Sequence, residues 1–188
     1  MGDADTHGLH RRWAWWCWWT DKQSAGAKWE QNLLKIFDFD TVEDFWALFD
    51  AMAPATRLNE RMKGNYAVHK ESSRPTWEDC EANDGGDWEL SVSSADNAHV
   101  RLDEWWLRCL LALIGETFDD DNGSDDVLGV SICRRPRETR LCVRTRNADS
   151  EATQIRIGQK FREVCDIPSY LPLEYKRPNA RKDVLYRA

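Results

Sequence analysis

The sequence predicts an α+β protein, with helices on one face of an antiparallel sheet. Strand-like and helix-like hydrophobic patterns follow one another in irregular order, the strand-like ones are joined by hairpin-length links, and no internal repeat organises the 188 residues. At this length and with 41% hydrophobic residues, a single domain spanning residues 1–188 is expected, since such a chain buries about 70% of its unfolded surface. Residues 1–10 are expected to be a flexible or partner-bound N-terminal segment.

The elements follow in chain order. "RWAWWCWW" (Arg12 to Trp19) is too short to cross a membrane and too aromatic for a surface helix, so it reads as a strand. "DTVEDFWALFDAM" places Val42, Phe45, Trp46 and Phe49 at helical spacing, with Thr41 as N-cap and Asp44 three residues on. "WELSV" alternates Trp88, Leu90 and Val92 as a strand with one buried side. "RLDEWWLRCLLALIGETF" is a second helix, with Leu102, Trp106, Cys109, Leu110 and Leu113 on one face and Gly115 as terminator. After the acidic loop "FDDDNGSDD", the segments "VLGVSICRR" and "TRLCVRTR" flank a turn and form a hairpin. "SEATQIRIGQKFREVC" is a third helix, and the tail holds two short strands around a basic, proline-containing loop. One sheet face is therefore covered and the other open.

Charge is unevenly placed. The chain carries −7 overall, yet from Arg134 onward there are 14 Lys and Arg against 7 Asp and Glu, and before it 12 against 26. The basic end suits an anionic partner, although a solvated face explains the asymmetry equally well. Six cysteines without a CxxC pair argue against zinc and against a disulfide scaffold. No apolar run reaches the ~20 residues of a membrane span, and the start lacks the apolar core of a signal peptide. The cytoplasm or the nucleus is the expected location.

Two tryptophans stand where a core does not call for them. Trp29 in "SAGAKWEQN" and Trp77 in "SSRPTWEDCEANDGG" lie in loop chemistry, off any apolar periodicity. Each alone reads most simply as a plug onto the core. Together they suggest a stacking pair, since a flat ring stacks on a base for ~1–3 kcal/mol and a cationic base adds cation–π attraction. Glu78 can accept paired hydrogen bonds from the donor edge of guanine, and arginines supply phosphate contacts. Trp, Trp, Glu and Arg describe a pocket for a positively charged guanine nucleotide, which is the chemistry of 7-methylguanosine.

The ordered stretches "HGLHRRWAWW", "TVEDFWALF", "WEDCEANDGGDW", "WLRCLLALIGETFDDDNGSDDVLG" and "IRIGQKF" resemble the translation initiation factor 4E family, whose members bind the 5′ cap of messenger RNA. The resemblance covers nearly the whole chain. It implies a curved sheet with about three helices on the convex face and a cap slot on the concave face. It further implies that Trp29 and Trp77 sandwich the methylated base, that Glu78 reads the guanine edge, and that Arg135, Arg137 and Arg140 hold the phosphates. The implied partners are capped messenger RNA and a scaffold of the initiation factor 4G type or a competing repressor. These would dock on the dorsal positions His7, Gly8, Leu9, Val42, Trp46, Leu107 and Leu111. Periodicity alone would place Trp46 in the core.

The chain also departs from the family pattern. Arg144 stands where a third tryptophan is usual, Asp87 where a base is frequent, Arg108 in place of a dorsal acid, and Gly8 in place of a proline. Arg144, Lys176, Arg177, Arg181 and Lys182 are candidates for additional nucleotide contacts, the four tail residues being read equally well as a solvated loop. A divergent paralogue is implied. An alternative is an interaction protein with a degenerate pocket, regulating translation through its dorsal partner alone. Enzyme readings find no support, because the four histidines are scattered and neither GxxxxGK[ST] nor GxGxxG occurs. No cofactor and no metal are expected, the acidic run from Asp119 to Asp126 lacking the ligand order of a calcium loop.

Overall fold

The computed structural model describes residues 6–19, 32–58, 64–76, 84–118, 125–135, 137–178 and 183–188. Among the described residues eight strands are formed: β1 (Gly8–Trp19), β2 (Leu34–Thr41), β3 (Gly64–Lys70), β4 (Gly86–Ser93), β5 (Val127–Arg134), β6 (Glu138–Thr145), β7 (Leu173–Lys176) and β8 (Val184–Arg187). Three helices accompany them: α1 (Val42–Ala51), α2 (Leu102–Ile114) and α3 (Glu151–Cys165). The strands pair antiparallel in one curved open sheet of order β2-β1-β3-β5-β6-β4-β7-β8. The fold expected from the sequence is the fold observed.

Period-two alternation decides which side chains meet the helices. Trp13 and Trp15 of β1, Val68 of β3, Trp88, Leu90 and Val92 of β4, and Leu141 and Val143 of β6 form one core with the buried faces of α2 and α3. The helical contribution includes Leu102, Trp106, Cys109, Leu110 and Leu113, the face that periodicity predicts, and also Trp105. Trp15 meets Trp106 edge to face, with ring centroids 6.2 Å apart. Gly158, in the middle of α3, is required by close approach: a Cβ there would lie 2.4 Å from the Trp88 ring.

Local chemistry sets the helix ends. The Thr41 side chain accepts a hydrogen bond from the Asp44 N–H at 3.1 Å, which is the predicted cap of α1. Helix α2 stops at Ile114 with Gly115 as C-cap, but Gly115 keeps right-handed angles and the left-handed residue is Glu116, at φ 55°. Asp166 caps α3 in the left-handed region.

Two strands escape the sequence pattern. β3 is buried along nearly its whole length, so it shows no polar–apolar alternation. In β2, the register against β1 shifts between Trp15 and Trp16, which breaks the alternation expected of a strand. β1 also begins earlier than the aromatic run suggests: Gly8 pairs with Thr41, and the Val42 N–H donates to the His7 carbonyl at 2.9 Å.

Candidate functional site

The same alternation that buries Trp88 and Leu90 turns Asp87 and Glu89 to the helix-free face of the sheet. There they join Trp18 of β1, His69 of β3, Ser131 and Cys133 of β5, Arg140 and Arg144 of β6, and Lys176 of β7 around a cleft of about 270 Å³. Pro75, Arg135, Cys142, Arg177 and Pro178 complete its lining.

Its floor is charged, and the charges are paired. Asp87 and Arg144 are directly opposed on β4 and β6. The Arg144 Nε donates to Asp87 Oδ1, and its Nη2 donates to Oδ2 at 2.8 Å. Burial works against the Arg144 charge, and the Asp87 carboxylate more than offsets it, so the guanidinium pKa lies above its ordinary value. The remaining donor, Nη1, reaches the Thr76 carbonyl at 3.4 Å. Next to it, Arg140 donates to Glu138 at 2.7 Å from Nε and approaches Glu89 at 3.5 Å from Nη1. Lys176 bridges Glu89 at 3.1 Å and Glu174 at 2.9 Å. Arg177 is paired with Asp149. Arg135 differs, donating to the Asn65 side chain at 2.7 Å and to the Arg134 carbonyl at 2.9 Å.

His69 lies flat against Gly129, where an added Cβ would sit 2.2 Å from the imidazole. Burial, and then the neighbouring cations Arg144 and Lys70, push its pKa down to about 3, so the ring is neutral at physiological pH. Its Nδ1 has no hydrogen-bond partner.

Of the residues expected to read the base, Trp29, Trp77 and Glu78 lie outside the described residues, as do Arg181 and Lys182. Their flanking residues are placed. Trp18 lines the cleft just before the stretch 20–31, and the Asn32 side chain donates to the Trp19 carbonyl at 3.3 Å, which brings the two ends of that stretch together. On the other side, Pro75 lines the cleft, and Thr76 is buried with its carbonyl bound by Arg144. A described residue close before each tryptophan-bearing stretch thus lines the cleft. Arg135, Arg140, Arg144, Lys176 and Arg177 are brought together in the lining, whereas Arg137 is exposed on the turn between β5 and β6 and is not part of it.

The dorsal candidates lie on the helix side. His7 donates its backbone N–H to Glu43 at 2.9 Å, and its Nδ1 meets the other carboxylate oxygen at 2.7 Å, which fixes His7 and Gly8 beside Val42. Trp46 is 38% exposed and packs edge-on against Phe49, while Phe45 takes the buried position of α1. On α2, Leu111 is 40% exposed. Leu9 and Leu107 are partly buried against the core. Arg108 donates to the Val164 carbonyl at 3.2 Å and pairs with Glu104 at 2.7 Å.

Sequence reasoning missed Glu89, His69 and Trp18 as cleft residues. Alternation in "GDWELSV" carried the signal for Glu89: with Trp88 and Leu90 turned inward, Glu89 must join Asp87 on the far side. Among the described residues, no group of His, Cys, Asp and Glu could hold a metal ion, and no helix is long and apolar enough to cross a membrane.

The sequence profile described as "Eukaryotic initiation factor 4E" matches residues 8–184. The chain belongs to the initiation factor 4E family. It is 38% identical over 160 residues to the eukaryotic translation initiation factor isoform 4E-2 of Oryza sativa subsp. japonica, covering 85% of this chain and 73% of that one. It is 37% identical over 163 residues to the isoform 4E of Arachis hypogaea, covering 86% and 75%. Among solved structures of the family it is similar to C. elegans eIF4E-3 in complex with the 4E-binding protein Mextli, with TM-score 0.87, 31% identity and coverage of 97% and 99%. It is equally similar to Ascaris suum eIF4E-3 in complex with the m7G cap, with TM-score 0.87, 31% identity and 97% of each chain covered.

Proposed function

We propose that the chain binds the 7-methylguanosine cap of messenger RNA in the cleft on the helix-free face, without catalysing a reaction. In this reading it offers the Trp46 side of the molecule to a partner during translation initiation, and it works where capped messengers are found, in the cytoplasm or the nucleus. The observation that carries the reading is that Trp18 and Pro75, which lie close before the two tryptophan-bearing stretches in sequence, line one cleft, in a chain that matches a cap-bound relative over 97% of its length. Trp29 and Trp77 would stack on the base, each contributing ~1–3 kcal/mol. Glu78 would accept from the guanine edge, and Arg135 and Arg140 would face the phosphates. A partner segment of the 4G-scaffold or repressor type would lay an amphipathic helix over Val42, Trp46, Leu107 and Leu111, with His7, Gly8 and Leu9 at its border.

Titration of intrinsic tryptophan fluorescence with 7-methyl-GTP, with GTP as control, tests this. Strong quenching by the methylated nucleotide, abolished in Trp77→Ala and Trp29→Ala, is expected. Equal response to both nucleotides overturns the cap reading. A second reading, in which the protein regulates translation through its dorsal partner with weak cap binding, is favoured by Asp87 and Glu89 in the cleft, because both oppose an anionic ligand. Partner-peptide binding that persists without methyl selectivity would establish it.

A further inference from the structure

The cleft carries five cations in its lining, and four of them are already occupied by carboxylates. Arg144 is closed by Asp87, Arg177 by Asp149, Arg140 by Glu138 with Glu89 near, and Lys176 by Glu89 and Glu174. Among the cations of the described lining, Arg135 alone has its hydrogen bonds on uncharged groups, the Asn65 side chain and the Arg134 carbonyl.

A phosphate that approaches a paired cation meets the paired carboxylate as well. At a few ångströms the attraction to one and the repulsion from the other are of similar size, because Coulomb energy falls only as the inverse of distance. The net gain is then small, and salt reduces it further. An unpaired guanidinium has no such opposing charge, so Arg135 is where a phosphate gains most.

We propose, on the cap-binding reading, that this cleft selects its ligand by the methylated base and that, among its described cations, it engages the phosphate chain essentially once, at Arg135. The floor cations Arg140, Arg144 and Lys176 are compensated by Asp87, Glu89 and the adjoining Glu138 and Glu174, and this network holds the pocket's shape while adding little attraction for second and third phosphates. The matching ligand class is a 7-methylguanosine whose recognition saturates at a short phosphate chain.

Dissociation constants for 7-methyl-GMP, 7-methyl-GDP, 7-methyl-GTP and GTP, measured by calorimetry at low and at physiological salt, decide the matter. The expected gain from the monophosphate to the triphosphate is below about tenfold, with a salt slope near that of one phosphate contact. Glu89→Gln, which releases charge on Arg140 and Lys176 at nearly constant shape, should raise the triphosphate-to-monophosphate preference several-fold, and Asp87→Asn should do the same through Arg144. Arg135→Gln should remove most of whatever phosphate dependence the parent shows. A parent gain above about a hundredfold overturns the proposal, since that would need several independent phosphate contacts. An unchanged triphosphate preference in a folded Glu89→Gln variant also overturns it, and if that variant does not fold the parent ratio decides alone. Equal affinity for 7-methyl-GTP and GTP is a separate outcome: it removes the cap reading itself, and the proposal with it.

Discussion

Arg144 and Asp87 face each other across the β6–β4 ladder and join guanidinium to carboxylate through two parallel hydrogen bonds. Two positions that the sequence reading marks as departures from the family pattern are therefore in direct contact, one charge compensating the other. Arg144 also ties the strand to Thr76, the residue before Trp77.

Breaking this pair on one side only leaves a largely buried charge uncompensated. Arg144→Ala should lower unfolding stability by about 3 kcal/mol, and Asp87→Ala by a comparable amount. The double variant should lose clearly less than the sum of the two. Urea denaturation of the four proteins checks the coupling, and strict additivity would show that the contact contributes nothing.

His69 gives the fold an acid-sensitive point. Its folded pKa is about 3, and the unfolded imidazole titrates near ~6.5, so between those values the unfolded chain binds the extra proton. Stability from this group is complete above pH ~6.5 and declines as pH falls, with a limiting slope of about 1.4 kcal/mol per pH unit. His69→Phe removes the titrating group and the unpartnered Nδ1 together. Melting temperatures from neutral to mildly acidic pH should fall less steeply for the variant than for the parent.

Trp46 belongs to an exposed surface. It packs against Phe45 and Phe49 on its own helix while keeping 38% of its surface accessible. Trp46→Ala should cost less than about 1.5 kcal/mol of stability, leave 7-methyl-GTP affinity unchanged, and weaken binding of an amphipathic partner helix more than tenfold. Peptide titration read alongside nucleotide titration separates these effects, and loss of both would show a structural role.

Gly158 would ordinarily be improved by alanine, since glycine inside a helix costs about 1 kcal/mol. Here the added Cβ would meet the Trp88 ring at 2.4 Å. Gly158→Ala should therefore destabilise by about 1–3 kcal/mol as α3 is pushed off the sheet, which chemical denaturation will show.

The elements legible in the sequence are those with a one-sided environment. The stripe of α2, the alternation of β4 and the Thr41 cap all reflect a buried side facing a wet one. β3 was illegible because both of its faces are covered, and β2 because its register against β1 is broken. For the cleft, the family resemblance pointed to Arg135 and Arg140, but the carboxylates that answer Arg140, Arg144 and Lys176 lay beyond it. Pairing Arg144 with Asp87, or Lys176 with Glu89, depends on β4 lying between β6 and β7, an order that residue spacing does not encode.

That strand order has a temporal consequence. β3 and β4 are consecutive in the chain, yet β5 and β6 lie between them, so the stretch carrying Trp77 connects strands that are three inter-strand spacings apart, about 14 Å. During synthesis Trp77 emerges before the hairpin that is to separate its two anchoring strands has been made. On the cap-binding reading the ligand slot is complete only after that later hairpin inserts, so a nascent chain stopped ahead of Val127 should carry Trp29 and Trp77 and still be blind to the nucleotide.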